Sequence, residues 1–276
     1  MTSSLVLSIV TFLYAASMTA YWGAWIFRRD AFGRAATALG AAGLLGNLAG
    51  FVMRWVESYQ MGVGHVPLSN MYESLIFFSM MSMAVYLVME RQYGLKVLGA
   101  FVAPLCFLAM AYASLIKDSG IRPLVPALKS NWLTAHVFTC FLGYAAFALA
   151  FGLGIIYLVK TRKPDSPHPL MKALPEMGVI DELMYQNVLF GFLFLTLGII
   201  TGAVWANTAW GRYWSWDNKE TWSLITWLIY AALIHSRHVR GWEGKRLAWF
   251  SIGGFAAVLF TWFGVNLFLS GLHSYA

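Results

Sequence analysis

The sequence predicts an all-α fold: a polytopic membrane bundle of about eight transmembrane helices. Three observations predict it. Of the 276 residues, 59% are hydrophobic and only 11% are charged, against about a quarter charged in soluble domains. Apolar runs of about 20 residues, the length that crosses a hydrocarbon core, recur along the whole chain. Those runs are continuously apolar rather than alternating, which selects helices over a transmembrane barrel. In lipid, backbone groups must be paired internally, and a helix does this within one segment.

The spans are expected near residues 5–27, 35–55, 71–89, 95–116, 132–159, 183–205, 221–236 and 247–271. The first lacks a basic n-region and a clear cleavage site, so it reads as a retained span rather than a removed signal. Asn70 followed by Glu73 resembles a capping box opening the third span, and Asp217 followed by Glu220 does the same for the seventh. Each carboxylate would be favoured by the helix dipole. The longest polar connection, 160–181, contains Pro164, Pro167, Pro169 and Pro175, which block helix continuation. It joins two halves of one bundle, so residues 1–276 read as a single integral membrane domain. Cys106 and Cys140 lie inside apolar runs and read as small packing residues. No C-x-x-C pair is present, which removes a thiol redox motif of that kind.

Basic residues set the expected orientation. One set of connections holds Arg28, Arg29, Arg34, Arg91, Lys96, Lys160, Arg162, Lys163, Lys172, Arg237, Arg240, Lys245 and Arg246. The alternate set holds Arg54, Lys117, Arg122, Lys129, Arg212 and Lys219. The first is about twice as rich and is expected on the cytoplasmic side. Both termini and the connection after the sixth span then face outward. The net charge of +7 expresses this asymmetry and gives no indication of nucleic acid.

That connection is the most informative stretch. Residues 205–222 read W-A-N-T-A-W-G-R-Y-W-S-W-D-N-K-E-T-W, with five tryptophans, Trp205, Trp210, Trp214, Trp216 and Trp222, in a polar segment. Indoles at a membrane surface form a lipid-interface belt or a platform for a large flat ligand. His136, just inside the fifth span, and His273, just past the eighth, are expected at the same face. Imidazole is a common axial ligand of haem iron. By position alone, interfacial hydrogen bonding is the more ordinary reading of both. His235 lies within apolar sequence toward the inner end of the seventh span. There a functional site and a helix-end hydrogen bond stand about even. His65 lies in an outer connection, and His168 and His238 lie in solvated cytoplasmic ones.

Four motifs now carry a resemblance: W-G-R-Y-W-S-W-D-N-K-E-T-W-S-L-I-T-W-L-I-Y (210–230), G-H-V-P-L-S-N-M-Y-E-S before the third span, N-W-L-T-A-H-V around His136, and G-V-N-L-F-L-S-G-L-H-S-Y around His273. The chain resembles the tryptophan-rich, or WWD, family of haem-handling membrane proteins. Within it, the chain is similar to the CcsA/ResC type of cytochrome c biogenesis protein in the System II pathway. Asn218 stands where that pattern usually has proline.

The resemblance implies that haem b is bound as substrate and presented at the outer face for covalent attachment to apocytochrome c. It implies a CcsB/ResB (Ccs1)-type partner and a location in a bacterial plasma membrane or a thylakoid, with the chain as the haem-binding subunit of a cytochrome c synthase. His136 and His273 would be axial ligands beside Trp210, Trp214, Trp216, Asp217 and Trp222, and His235 would belong to an inner haem site. Arg212 and Lys219 are candidates for pairing haem propionates, on charge and position; simple interfacial snorkelling accounts for them equally well. Two other classes fit the sequence: a haem exporter without a synthase role, and a structural quinone- or lipid-binding subunit.

Overall fold

The computed structural model describes residues 2–116, 119–162 and 166–269. Those residues form helices and no strand, as the fold class requires. The chain divides into two compact units.

The first unit contains α1 (Ser3–Phe27), α2 (Asp30–Gln60), α3 (Met71–Tyr93), α4 (Lys96–Leu115), a 3-10 turn (Pro126–Leu128) and, from later in the chain, the short α6 (Pro169–Lys172). Helix α1 packs on α2 and α4, and α3 packs on α4 and α2. Close approach of α1 and α2 depends on missing side chains: a Cβ on Gly43 would lie 2.6 Å from the Tyr14 ring, and one on Gly50 2.7 Å from Leu7. Without a hydrophobic driving force between helices in lipid, such backbone proximity is what holds them together.

Helix α2 overruns its expected span at both ends, and this changes the reading of Arg54. Expected in an outward connection, Arg54 instead lies inside the helix, buried. Its Nε donates to Glu73 Oε1 at 2.8 Å, its Nη2 to the Ser119 carbonyl at 2.7 Å, and its guanidinium sits over the Tyr72 ring at 4.9 Å. Arg54 therefore leaves the tally of connection charges, which widens the bias between the two sets. Near the opposite end of α3, the buried Glu90 carboxylate accepts hydroxyls from Tyr21 at 2.5 Å, Tyr86 at 2.6 Å and Thr37. Buried charges in an apolar unit need this degree of satisfaction.

The second unit contains α5 (Asn131–Arg162), α7 (Met177–Trp210), α8 (Asn218–Arg240), α9 (Lys245–Leu259), a π-helical turn (Phe260–Gly264) and α10 (Val265–Phe268). Helix α5 packs along α7 and α9, and α8 lies against α9 and α7. The α5–α7 seam is again backbone-close: a Cβ on Gly143 would stand 3.0 Å from the Gly191 carbonyl oxygen. In the middle of the unit the Phe147 and Tyr230 rings stack at 3.6 Å with 6° between planes. At one end, Asp181 accepts from Arg237 and from the Gly244 amide, both at 2.6 Å. This ties the start of α7 to the α8–α9 turn.

Among the described residues, eight long helices lie at the eight expected spans. Seven of them are long and apolar enough to cross a membrane. The exception is α8, which carries Lys219, Glu220, Ser223, Thr226, Arg237, His238 and Arg240 within its length. Some of these polar groups face inward: Glu220 and Thr226 are buried, and Thr226 meets Thr261 hydroxyl to hydroxyl at 3.0 Å.

Candidate functional site at the tryptophan end of the second unit

The antiparallel path of α5 and α7 brings the start of one to the end of the other. His136 sits in the second turn of α5, and Trp205 in the second-last turn of α7. Their rings lie nearly parallel, centroids 6.0 Å apart and 18° between planes. The His136 Nδ1 lies 2.7 Å from the Gly198 carbonyl oxygen. A carbonyl only accepts, so Nδ1 carries the hydrogen, and the lone pair of the neutral ring is on Nε2. That is the state in which imidazole binds a metal, with its second nitrogen oriented by a hydrogen bond.

The indoles divide into distinct roles. Trp205 is 2% exposed and belongs to the core, with Trp210 edge-on to it at 4.8 Å. Helix α7 ends when Gly211 enters the left-handed region at φ 74°. The turn that follows presents Tyr213, Trp214 and Trp216, and Trp214 and Trp216 meet edge to face at 5.8 Å. Trp216 is 69% exposed and adopts φ 61°. A bulky residue in that region is strained by about 1–3 kcal/mol and persists only when its surroundings enforce it.

Glu220 is what enforces it. Its carboxylate accepts from the Ser215 amide at 2.7 Å and the Asp217 amide at 3.1 Å, with the Ser215 hydroxyl also in reach. Asp217 caps α8 in return, completing the capping box expected from the sequence. At α3 only half of the expected box forms. Asn70 accepts the Glu73 amide at 2.9 Å, but the Glu73 carboxylate turns to the Ser69 amide and hydroxyl and to Arg54.

Trp222, at the start of the second turn of α8, packs on Phe260 of the π turn at 4.2 Å. The Trp222 carbonyl accepts the hydroxyls of Thr226 at 2.9 Å and Thr261 at 3.3 Å. Trp262 then packs edge-on to Phe141 of α5 at 5.1 Å. Side chains from the start of α5, the end of α7, the start of α8 and the π turn thus share one end of the unit. Lys219 is the cation held there: burial pushes its ammonium down to about 8, and neighbouring Asp217 acts in the opposite sense. Arg212 is exposed.

His273 lies outside the described residues. His235 is exposed on α8 and is not brought to the tryptophan end. The rise of an α-helix puts it about 20 Å along the axis from Trp222. His65 is buried, with Nδ1 2.9 Å from the Val66 carbonyl and Nε2 3.1 Å from the Arg122 carbonyl. A carbonyl oxygen faces each ring nitrogen, so His65 ties its own connection to the 119–125 segment. His238 is bonded to the Tyr185 hydroxyl at 2.8 Å, and His168 caps α6. Among the described residues no three His, Cys, Asp or Glu side chains gather as a metal cluster. Sequence reasoning missed Gly198, Gly202, Cys140 and Thr261 as parts of this site. Glycines recurring along 191, 198 and 202 were the available signal for the first two.

The fold and this site define a polytopic helical membrane protein with an oriented imidazole beside an ordered indole cluster. A family model described as cytochrome c assembly protein matches residues 68–273, and the chain belongs to that family. It is 41% identical to the cytochrome c biogenesis protein CcsA of Guillardia theta, over 80% of this chain and 79% of that one. It is 36% identical to CcsA of Gloeobacter violaceus, over 95% of this chain and 93% of that one. The resemblance to the CcsA type read from the motifs is borne out. Among solved structures, cytochrome c heme lyase CcmF shares the fold with a TM-score of 0.73 at 19% identity. The match takes in 95% of this chain but 47% of that one, so the chain spans about half the length of that structure.

Proposed function

We propose that the chain binds haem b as substrate at the tryptophan end of its second unit and presents it for covalent attachment to apocytochrome c. On this reading a CcsB/ResB-type membrane protein is its System II partner, and the tryptophan end and both termini face outward. The observation that carries the reading is the His136 ring, whose Nδ1–H is committed to the Gly198 carbonyl at 2.7 Å, so that Nε2 holds the lone pair. Imidazole nitrogen and flat indole surface are the chemistry an iron porphyrin needs, so the donor set fits the group.

The division of labour follows from the side chains. His136 and His273 supply axial nitrogens. Trp210, Trp214, Trp216 and Trp222 cover the porphyrin and exclude water. Asp217, through its box with Glu220, holds the turn that carries two of those indoles. Lys219 and Arg212 pair the propionates. His235, exposed near the far end of α8, serves a separate inner site completed by the partner. Bound haem supplies two vinyl groups, across which the thiols of a C-x-x-C-H motif add with no leaving group. The protein's own contribution is binding, orientation and electronic control.

The test is a haem absorption spectrum of the purified chain, with and without the partner. His136→Ala and His273→Ala are expected to abolish the outer-site signal, and His235→Ala the inner one. A chain that retains no haem under any of these conditions overturns the reading. Covalent cytochrome formation by the reconstituted pair, with haem supplied directly to the outer face, distinguishes a synthase from an exporter.

A further inference from the structure

Helix α7 shapes the surroundings of His136 through its backbone rather than through a side chain. The Gly198 carbonyl lies 2.7 Å from Nδ1. One turn further, Gly202 leaves the space the ring occupies: a Cβ there would lie 2.6 Å from Nδ1 and 2.8 Å from Cε1. Gly198 itself is needed for the approach, since its Cβ would lie 2.5 Å from Cys140 Sγ. Cys140 Sγ in turn stands 3.7 Å from Nδ1. The Gly198 carbonyl also accepts from the Thr201 hydroxyl at 3.1 Å, and Thr201 has a second acceptor in the Leu197 carbonyl at 2.8 Å.

We propose that Gly202 and the Gly198 carbonyl are positioning groups that fix the tautomer and ring plane of His136, and that Thr201 tunes the ligand by sharing that carbonyl. This rests on the reading that His136 ligates haem iron. A hydrogen bond from the distal nitrogen of a ligating histidine raises its basicity. Withdrawing the competing hydroxyl frees the carbonyl for Nδ1–H, makes the imidazole a stronger donor and favours ferric over ferrous iron. A methyl on Cα of residue 202 forces the ring off its carbonyl and turns Nε2 away.

The experiment uses the purified full chain loaded with haem. It reads haem content, the Soret and visible spectrum, and the midpoint potential. His136→Gly tests the underlying reading: loss of the bis-histidine spectrum, restored by added imidazole, is expected. Gly202→Ala is expected to lower haem content at least tenfold or shift the spectrum to a five-coordinate form. Gly178→Ala, on the same helix where an added Cβ meets nothing within 4 Å, is expected to match the parent protein. Thr201→Val is expected to keep its haem and shift the midpoint potential negative, a change that packing alone does not produce. If His136→Gly loses haem while Gly202→Ala and Thr201→Val match the parent in spectrum and potential, the positioning role is overturned and the haem reading stands. If His136→Gly is indistinguishable from the parent, both fall. Should Gly202→Ala fail to accumulate, the potential of Thr201→Val decides, and an unchanged value overturns the proposal.

Discussion

Trp205 and His136 face one another ring to ring, 6.0 Å between centroids and 18° between planes, one on α7 and the other on α5. With Trp205 only 2% exposed, the imidazole backs onto the core of its unit. The exposed indoles, Trp216 above all, lie beyond α7 in the turn. The site therefore has one half made by two long helices and another made by a seven-residue turn, 211–217, that the capping box of α8 holds. The predictions below separate these halves.

The ammonium of Lys219, pushed down to about 8 by burial, makes haem affinity pH-dependent if it pairs a propionate. Affinity is expected to be level below about pH 8 and to fall as pH passes that value, because the free protein then loses its cation. Lys219→Gln should lower affinity and flatten the profile, and Lys219→Arg should extend the plateau upward. Titrations of haem binding from pH 6.5 to 9.5 check this. The sign for folding is the reverse: with the folded value below the ordinary lysine value, stability rises as pH climbs from about 8 toward that value.

Glu220 and Asp217 are expected to act on the turn rather than on the ligand. Asp217→Ala should cost about 1 kcal/mol through loss of the cap, and Glu220→Gln should loosen Ser215 and Trp216. Protease cleavage within 211–217 should rise in both. A variant whose turn stays protected while haem binding is lost would contradict this division.

Trp216 combines strain with exposure. Trp216→Gly removes a bulky side chain from φ 61°, a relief of about 1 kcal/mol or more, along with a wide aromatic surface. The expected outcome is an unchanged or raised unfolding midpoint together with weaker haem binding. Paired thermal and binding measurements on the same preparation reveal whether the two move in opposite directions.

In the first unit, Arg54 and Glu73 form a buried ion pair at 2.8 Å. Removing either partner leaves the other charge uncompensated, so Arg54→Met and Glu73→Gln should each destabilise by about 3–5 kcal/mol. The double variant Arg54→Met/Glu73→Gln should cost less than the sum of the two. Denaturant unfolding of the three variants tests the non-additivity.

Much of this arrangement was legible in the sequence because the lipid requirement is severe. Apolar runs of spanning length located seven of the long helices; α8 is more polar, and Asp217 with Glu220 announced its start. The crowding of Trp210, Trp214, Trp216 and Trp222 marked the site without three-dimensional information. What escaped depended on helix pairing. Arg54 reads as a loop cation until Glu73 of another helix is seen beside it. Cys140 reads as filler until the bare backbone of Gly198 lets it approach His136. Trp205 counts with the other indoles by sequence, and only the α5–α7 contact shows that it is core. Helix α8 was expected to be a span like the others, yet its inward polar groups, Glu220 and Thr226, serve the turn and the π segment.

That π segment has a geometric consequence of its own. Over Phe260–Gly264 the last long helix accommodates one residue more than an α-turn would, seen in the Val265 amide reaching back to the Phe260 carbonyl. One residue of an α-helix corresponds to a rotation of about 100°. Deleting a single residue there would restore regular winding and leave Val265 and Asn266 on nearly the same side of the cylinder, whereas winding the same sequence as an unbroken α-helix would turn them by that angle. The turn takes up one surplus residue locally, so the two parts of the helix on either side of it keep their angular register.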